Sequence, residues 1–397
     1  MPQRVLVLYH YFARYRSAII RELIEHGKHH YTFAADTHDE GAGIKLADDI
    51  PDDRFVRARC RWLGKIMLQP RALSLALFGR YDTLILLGNA QWPTTWLATL
   101  LGRLTGKRVL YWTHGWLTHE QGPTRLIRNT FYGLANALLV YGHRSKCIGI
   151  DEGFDPAKLH VIYNSLDYPQ QRDLREHHDA ERVAARRKTI FGDNDHPAVM
   201  TVCRLQPAKK LHQLIDAAAA CRQQGRPISL LFVGDGPELE ALKRRASDKG
   251  VHAHFFGACY EEQTLAELLA ASDLCVMPGP AGLTVMHALA YGTPFITNDQ
   301  LDTQMPEFEA IIPGVNGALF KSDDTDDLAA KILACTATPE LRSEGRRVSV
   351  AMIERFFNPA VQRELIDRAV DGLPADDLFA ARRTPPVTSG ADPCSAP

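Results

Sequence analysis

Short apolar runs recur along the whole chain, each followed by a stretch with helical spacing, and this alternation leaves little choice of fold. Strands are expected at residues 5–9, 31–34, 83–87, 109–112, 137–141 and 159–163, then at 198–203, 228–233, 252–256, 274–277 and 294–296. Apolar strands separated by helices fit parallel sheets covered on both faces, so the expected class is α/β with two doubly wound parallel sheets. A polar, charge-dense stretch at 168–187 separates the two series. The expected organisation is a first domain at 1–175, a linker at 176–195, a second domain at 196–350 and C-terminal crossover helices at 351–372. A tail at 373–397, rich in Pro, Ala and Ser, is expected to be disordered. At 397 residues with 45% apolar and 23% charged composition, the chain is long enough for two separate cores.

Two segments in the second half suit an anion. Residues 278–297 put the loop Pro-Gly-Pro-Ala-Gly directly before a short apolar helix that Gly292 and Pro294 end. Backbone N–H groups near Gly282, Leu283 and Thr284 would lack intrahelical acceptors and carry the positive end of the helix dipole, so a phosphate can sit there without a metal. Some seventy residues upstream, a strand ending at Cys203 turns through 204–208 into a helix with apolar residues at 211, 214, 215 and 218. Arg204 and Lys209 flank that turn, and such turns line the ligand crevice of an open parallel sheet. Either cation alone reads as a solvated loop residue; the pattern around them makes them a candidate site.

That pattern is the order and spacing of Arg204-Leu-x-x-x-Lys209, Leu230-Leu-Phe-Val-Gly-Asp-Gly-Pro237, the Phe256-Gly257 turn, Ala271-Ser-Asp-Leu-Cys-Val-Met-Pro278, the Gly282-Leu283 to Gly292-Thr-Pro294 block, Pro306-Glu307 and Asn316-Gly317. It resembles the donor-binding domain of retaining GT-B glycosyltransferases, the large sucrose synthase and mannosyltransferase-like family (glycosyl transferases group 1). Trp112-Thr-His-Gly115, residues 132–141 and Val161-Ile-Tyr-Asn-Ser-Leu-Asp167 resemble the acceptor-side domain of the same family. The resemblance covers roughly residues 3 to 370. It implies a GT-B fold, two Rossmann-like domains facing an interdomain cleft. It also implies sugar transfer from a nucleotide-diphosphate donor to a hydroxyl of a glycan or lipid-linked acceptor. Retention of configuration and a place in cell-surface polysaccharide or glycoconjugate biosynthesis come with it.

In that reading Arg204, Lys209 and the amides of Gly282, Leu283 and Thr284 stabilise the departing diphosphate, and neither a cofactor nor a metal is expected. His114 would contact the donor sugar, Asn164 would end a strand at the cleft or form a turn, and Gly257 belongs to the donor side. The family usually carries two glutamates eight positions apart. Here residues 278–282 hold no carboxylate, and His287 stands in the place of the second glutamate. Glu307 and Glu309 are either substitutes for the first or plain helix-start acids. The first βα turn lacks a Gly-rich loop and reads Tyr9-His-Tyr-Phe-Ala-Arg-Tyr-Arg-Ser17, where Arg14 and Arg16 are candidates to meet a phosphate of the donor or of a lipid-linked acceptor. Two alternatives stay open: a GT-B-shaped epimerase or hydrolase acting on a nucleotide sugar, and a non-catalytic sugar-nucleotide or glycan-binding protein.

Charge is uneven. Residues 1–170 hold 21 Lys and Arg against 15 Asp and Glu, whereas 171–397 hold 25 against 32. Seven basic residues between Arg54 and Arg80 meet no acid and are interleaved with Trp62, Leu63, Ile66, Met67 and Leu68. A helix of that make-up can lie on an anionic bilayer, so peripheral contact at the inner face of the cytoplasmic membrane is expected through 54–80. Nucleic acid is not an expected partner, since no recognised module appears. Nor does any eighteen-residue apolar run appear. Residues 1–4 lead straight into a strand, which does not fit a signal peptide, and the eight cysteines, without a CxxC pair, are read as reduced in a cytoplasmic protein.

Overall fold

The computed structural model describes residues 1–38, 45–64, 66–192 and 195–375; Lys65 and most of the expected tail lie outside the described residues. The chain divides into two compact units, Met1–Asp167 joined by the segment from Asn358 onward, and Tyr168–Phe357.

The first unit runs β1 (Arg4–Leu8), α1 (Ser17–His26), β2 (His30–Ala35), β3 (Phe55–Arg57), β4 (Arg61–Leu63), β5 (Ile66–Leu68), α2 (Pro70–Phe78), β6 (Thr83–Leu87), α3 (Pro93–Leu104), β7 (Arg108–Thr113), α4 (Gly122–Gly133), β8 (Ala137–Val140), α5 (His143–Asp151) and β9 (Leu159–Val161). Seven strands form a parallel sheet in the order β3-β2-β1-β6-β7-β8-β9. Val5, Val7, Phe33, Ile85, Leu110 and Leu139 are fully buried. Helices cover both faces of such a sheet, which is why its strands read as unbroken apolar runs.

The second unit runs α6 (Tyr168–Glu176), α7 (Ala180–Phe191), β10 (Ala198–Val202), α8 (His212–Gln223), β11 (Ser229–Val233), α9 (Leu239–Asp248), β12 (Ala253–Gly257), α10 (Glu262–Ala271), β13 (Leu274–Met277), α11 (Thr284–Ala290), β14 (Phe295–Asn298), β15 (Gly317–Phe320), α12 (Thr325–Cys335) and α13 (Pro339–Arg355). Its six-stranded parallel sheet has the order β12-β11-β10-β13-β14-β15. The last helix, α14 (Pro359–Val370), packs on α1 in the first unit. There Gln362 Nε2 donates to the Tyr163 carbonyl at 2.7 Å, and Tyr31 Oη donates to Asp367 at 2.7 Å.

Two expectations are corrected. Residues 176–195 are not a linker: α7 packs against α10, its Ile190 and Phe191 are buried, and Arg182 and Arg186 pair at 2.9 and 2.6 Å with Glu267, which is itself 1% exposed. The charge density that suggested solvated chain instead serves ion pairs, and the second unit begins at Tyr168. Residues 54–80 are not one helix: β3 joins the sheet edge, β4 and β5 form an antiparallel hairpin, and only α2 is helical. Cysteines 60, 203, 221, 259, 275 and 335 are free.

Candidate active site

Each sheet reverses its strand order once beside its first strand, and in the second unit the reversal falls between β10 and β13. Connections leave those neighbouring strands in opposite directions, which opens a crevice at their carboxyl ends. The loop after β10 carries Arg204 and Lys209; the loop after β13 is residues 278–283.

The two loops are joined directly. Gly279 N donates to the Lys209 carbonyl at 2.9 Å, Lys209 Nζ donates to the Pro280 carbonyl at 2.5 Å, and Thr284 Oγ1 donates to the Val202 carbonyl at 3.4 Å. A Cβ at position 279 would stand 2.2 Å from the Ala208 carbonyl oxygen and 2.7 Å from Lys209 Cα, so this approach requires glycine. Gly282, at φ +59°, then turns the chain into α11. Buried polar side chains hold the loop from within. Asn298 Nδ2 donates to the Pro278 carbonyl at 2.6 Å, Thr297 Oγ1 to the Met277 carbonyl at 2.9 Å, and Gln304 Oε1 accepts from Ala281 N at 3.1 Å. The loop is therefore preorganised, while the amides of Gly282, Leu283 and Thr284 have no acceptor among the described residues.

The two cations differ. Arg204 is exposed and its side chain has no partner among the described residues. Lys209 is half-buried, and burial pulls its ammonium below the usual lysine range. One of its three donors is taken by Pro280, and an anion nearby would offset the desolvation.

His287 lies one turn into α11 and is already engaged. Its Nε2 is 2.9 Å from Glu262 Oε1, which also accepts from Tyr291 Oη at 2.7 Å and Gln171 Nε2 at 3.4 Å. Burial alone would raise the Glu262 carboxyl, but the hydrogen bonds from His287, Tyr291 and Gln171 outweigh it and hold the group at about 2. A carboxylate thus stands one hydrogen bond from His287, supplied by α10. Glu307 is 3% exposed inside the turn Pro306–Ala310, which packs on α11, so it is not a solvated helix-start acid. Gly257 ends β12 and accepts from Gly234 N at 2.8 Å.

The first unit holds the other two candidates. His114 follows β7 with its ring centroid 5.0 Å from that of Tyr141. His114 is exposed, yet the protein packed around its ring and then the Arg16 charge lower its pKa to about 4, so the imidazole is neutral at pH 7. Asn164 is buried after β9, and its Oδ1 accepts from Ser165 N at 3.0 Å, which favours turn formation.

Sequence reasoning missed Glu262, Gln304 and Asn298. Glu262 meets His287 across 25 positions and Gln304 meets Ala281 across 23, and no local pattern marks either pairing. Among the described residues no group of three His, Cys, Asp or Glu side chains is placed to hold a metal ion.

Known proteins resemble this chain in sequence and in fold. Residues 184–347 match the family described as Glycosyl transferases group 1. The GDP-mannose-dependent alpha-(1-6)-phosphatidylinositol monomannoside mannosyltransferase of Mycolicibacterium smegmatis is 27% identical over 292 residues, 69% of this chain and 71% of that protein. The lipopolysaccharide core biosynthesis glycosyltransferase LpsE of Rhizobium meliloti is 29% identical over 183 residues, 45% of this chain and 51% of that one. Among solved structures, Anabaena HepE in complex with UDP superposes with a TM-score of 0.70 at 18% identity, covering 94% of this chain and 100% of HepE. Residues 184–347 therefore form a glycosyl transferases group 1 domain, and the two doubly wound parallel sheets, each with its order reversal, have the GT-B fold.

Proposed function

We propose that the protein moves a hexosyl residue, mannosyl or glucosyl, from a nucleotide-diphosphate sugar to a hydroxyl of a glycan or lipid-linked acceptor, with retention and without a divalent metal. The observation that carries this reading is the junction of Lys209 with the 278–284 loop at the strand-order reversal of the second unit. As the glycosidic bond breaks, negative charge grows on the departing diphosphate. The Lys209 ammonium and the amides of Gly282, Leu283 and Thr284 are fixed positive groups for that charge, and the exposed Arg204 guanidinium is a further cation free to reach it. Preorganised donors of this kind contribute about 3 kcal/mol each. Glu262, oriented by His287, and the buried Glu307 are the carboxylates on the donor side, and Gly257 shapes its edge. His114, neutral, offers a hydrogen bond to the donor sugar, and Asn164 shapes the turn beyond β9. The names of the mycobacterial and rhizobial relatives, a phosphatidylinositol mannoside mannosyltransferase and a lipopolysaccharide core enzyme, support a role in cell-surface glycoconjugate assembly.

Peripheral contact with an anionic membrane is part of the proposal. Leu63 and Ile66 on the β4–β5 hairpin, Phe78 on α2 and Leu97, Leu100 and Leu104 on α3 are exposed, and α3 packs against both α2 and β5. Arg59, Arg61, Arg71 and Arg103 are exposed on or beside the same elements. Apolar side chains with a basic surround suit the headgroup boundary, each basic residue contributing about 1 kcal/mol. No described helix is long and apolar enough to cross a membrane.

A panel including GDP-mannose and UDP-glucose, assayed with and without a chelator, tests the reading. Slow nucleotide release that an acceptor accelerates and a chelator leaves unchanged is expected, with the anomeric configuration of the product read by NMR. Binding without turnover on every donor and acceptor would make the chain a binding protein, and release that no acceptor accelerates would make it a hydrolase.

A further inference from the structure

The first sheet reverses its order between β1 and β6, and the turn after β1 stands at that reversal. A ligand belongs there in an open parallel sheet, yet bulky residues occupy the place of a glycine-rich turn. Arg16 closes the 3-10 turn Arg14–Arg16 and immediately precedes the ten-residue α1, which has no side-chain cap and no acid in its first turn.

The Arg16 guanidinium is set among aromatic rings. Its Cζ lies 4.9 Å from the ring centroid of Tyr9, 5.2 Å from Trp112, 5.7 Å from Tyr15 and 5.9 Å from Tyr141. Nη2 donates to Tyr141 Oη at 2.5 Å, and the side chain has no other hydrogen bond and no ion pair among the described residues. Asp49, the acid at the start of α1, is taken by Ser17 Oγ at 2.8 Å and by Arg21 at 3.5 Å. On the Trp112 ring that lies under the guanidinium, Nε1 is buried without a hydrogen-bond partner among the described residues.

Aromatic faces attract a cation but do not satisfy in-plane N–H donors, and guanidinium has five of them. A partly enclosed guanidinium with one protein acceptor and no carboxylate is a receptor for a planar fork of oxygens. We infer that Arg16, with Nε1 of the Trp112 ring under it, binds a phosphate group carried by the acceptor, so that the acceptor is a phosphate-bearing sugar or headgroup rather than a neutral glycan. The inference rests on the proposed transfer only in naming the ligand an acceptor.

All five tryptophans, Trp62, Trp92, Trp96, Trp112 and Trp116, lie in the first unit, so their emission reports on the unit that holds Arg16, and the Arg16 variants separate phosphate bound there from phosphate bound elsewhere. The full chain is titrated with glycerol 3-phosphate in solution and, separately, with phosphatidylcholine vesicles with and without phosphatidic acid. A saturable emission change is expected, its midpoint raised at least tenfold in Arg16→Gln and less in Arg16→Lys. A response to the soluble probe assigns a water-soluble phosphoryl acceptor, and a response only to phosphatidic acid assigns a lipid headgroup. Absence of a saturable change with every probe, or an Arg16→Gln midpoint equal to that of the wild type, overturns the inference. Should Arg16→Gln fail to fold, the wild-type titration and Arg16→Lys decide alone. Nucleotide release from the donor, measured without these probes, tests the transfer reading independently.

Discussion

The Lys209 ammonium donates to the Pro280 carbonyl at 2.5 Å while the Gly279 amide donates back to the Lys209 carbonyl at 2.9 Å. One residue of the loop after β10 is thereby bonded to the loop after β13 through both its backbone and its side chain. The lysine has a structural task as well as a charge, whereas Arg204 has no side-chain partner to lose.

That difference predicts how two alanine variants diverge. Arg204→Ala is expected to lower turnover about a hundredfold, the cost of one cation lost from the departing diphosphate, with melting temperature unchanged. Lys209→Ala is expected to lose at least as much turnover and also about 1 kcal/mol of stability, because the Pro280 carbonyl loses its donor. Steady-state kinetics with thermal melts separates the two; full turnover in either variant removes that residue from the diphosphate site.

Gly279→Ala tests the loop junction without touching a charge. The added Cβ meets backbone atoms of Ala208 and Lys209 at 2.2 and 2.7 Å, and backbone does not yield as a flexible side chain does. Separation of the two loops is expected to cost about 1–3 kcal/mol and to weaken donor binding more than tenfold. Unchanged donor affinity by calorimetry would show that the junction does not shape the donor site.

What the sequence made legible follows the range of the interactions involved. Strands such as β1, β6, β7, β10 and β11 are buried by their own composition, so their apolar runs announced them. The edge strands β3 and β15 stood out less, because β3 ends on Arg57 and β15 opens on Gly317, so neither presents an unbroken apolar run. The hairpin β4–β5 was hidden because alternating Arg and apolar residues at 59–68 suit a surface helix equally well. At the candidate site, Arg204, Lys209 and Gly282 were visible because strand, turn and helix start are contiguous. Glu262 was not, because its meaning comes from His287, Tyr291 and Gln171, which tertiary packing alone brings to it. The linker misreading at 176–195 has the same cause: Arg186 meets Glu267 81 positions away.

His287→Glu would restore the residue type that the family resemblance implies, but here it would set a second carboxylate against Glu262, now 2.9 Å from the imidazole. Two carboxylates at that distance cannot both ionise freely. A loss of about 2 kcal/mol at pH 7 is expected, with the Glu262 pKa driven upward, while His287→Gln, which keeps a donor, loses less. Melts of the two variants across pH 5–8 check this; a stabilised His287→Glu would mean that the pair with Glu262 is not formed.

The same pair fixes an acid limb. Glu262 is held at about 2, below the ordinary 4.5, so its contribution is complete above about 4.5 and is lost as pH falls through about 2. That contribution is at most about 3 kcal/mol, since the shift counts only the preference for the ionised form. Glu262→Gln should flatten urea-derived stability between pH 4.5 and 2, and a wild-type slope that persists in the variant would assign the limb to other groups.

His114 titrates in the opposite sense. With its folded pKa lowered from 6.5 to about 4, the unfolded chain binds the extra proton first, so stability is unaffected above about 6.5 and declines as pH falls toward 4. In the folded enzyme the imidazole stays neutral through the physiological range, able to donate from one nitrogen and accept at the other. The kcat/KM profile is therefore expected to carry no His114 ionisation near 6.5. His114→Gln, which keeps an uncharged donor and acceptor, should retain more activity than His114→Ala, expected to fall about a hundredfold. A limb near pH 6.5 in the wild type that disappears in His114→Gln would show that the protonated imidazole matters, and would remove the neutral hydrogen-bonding role assigned to His114.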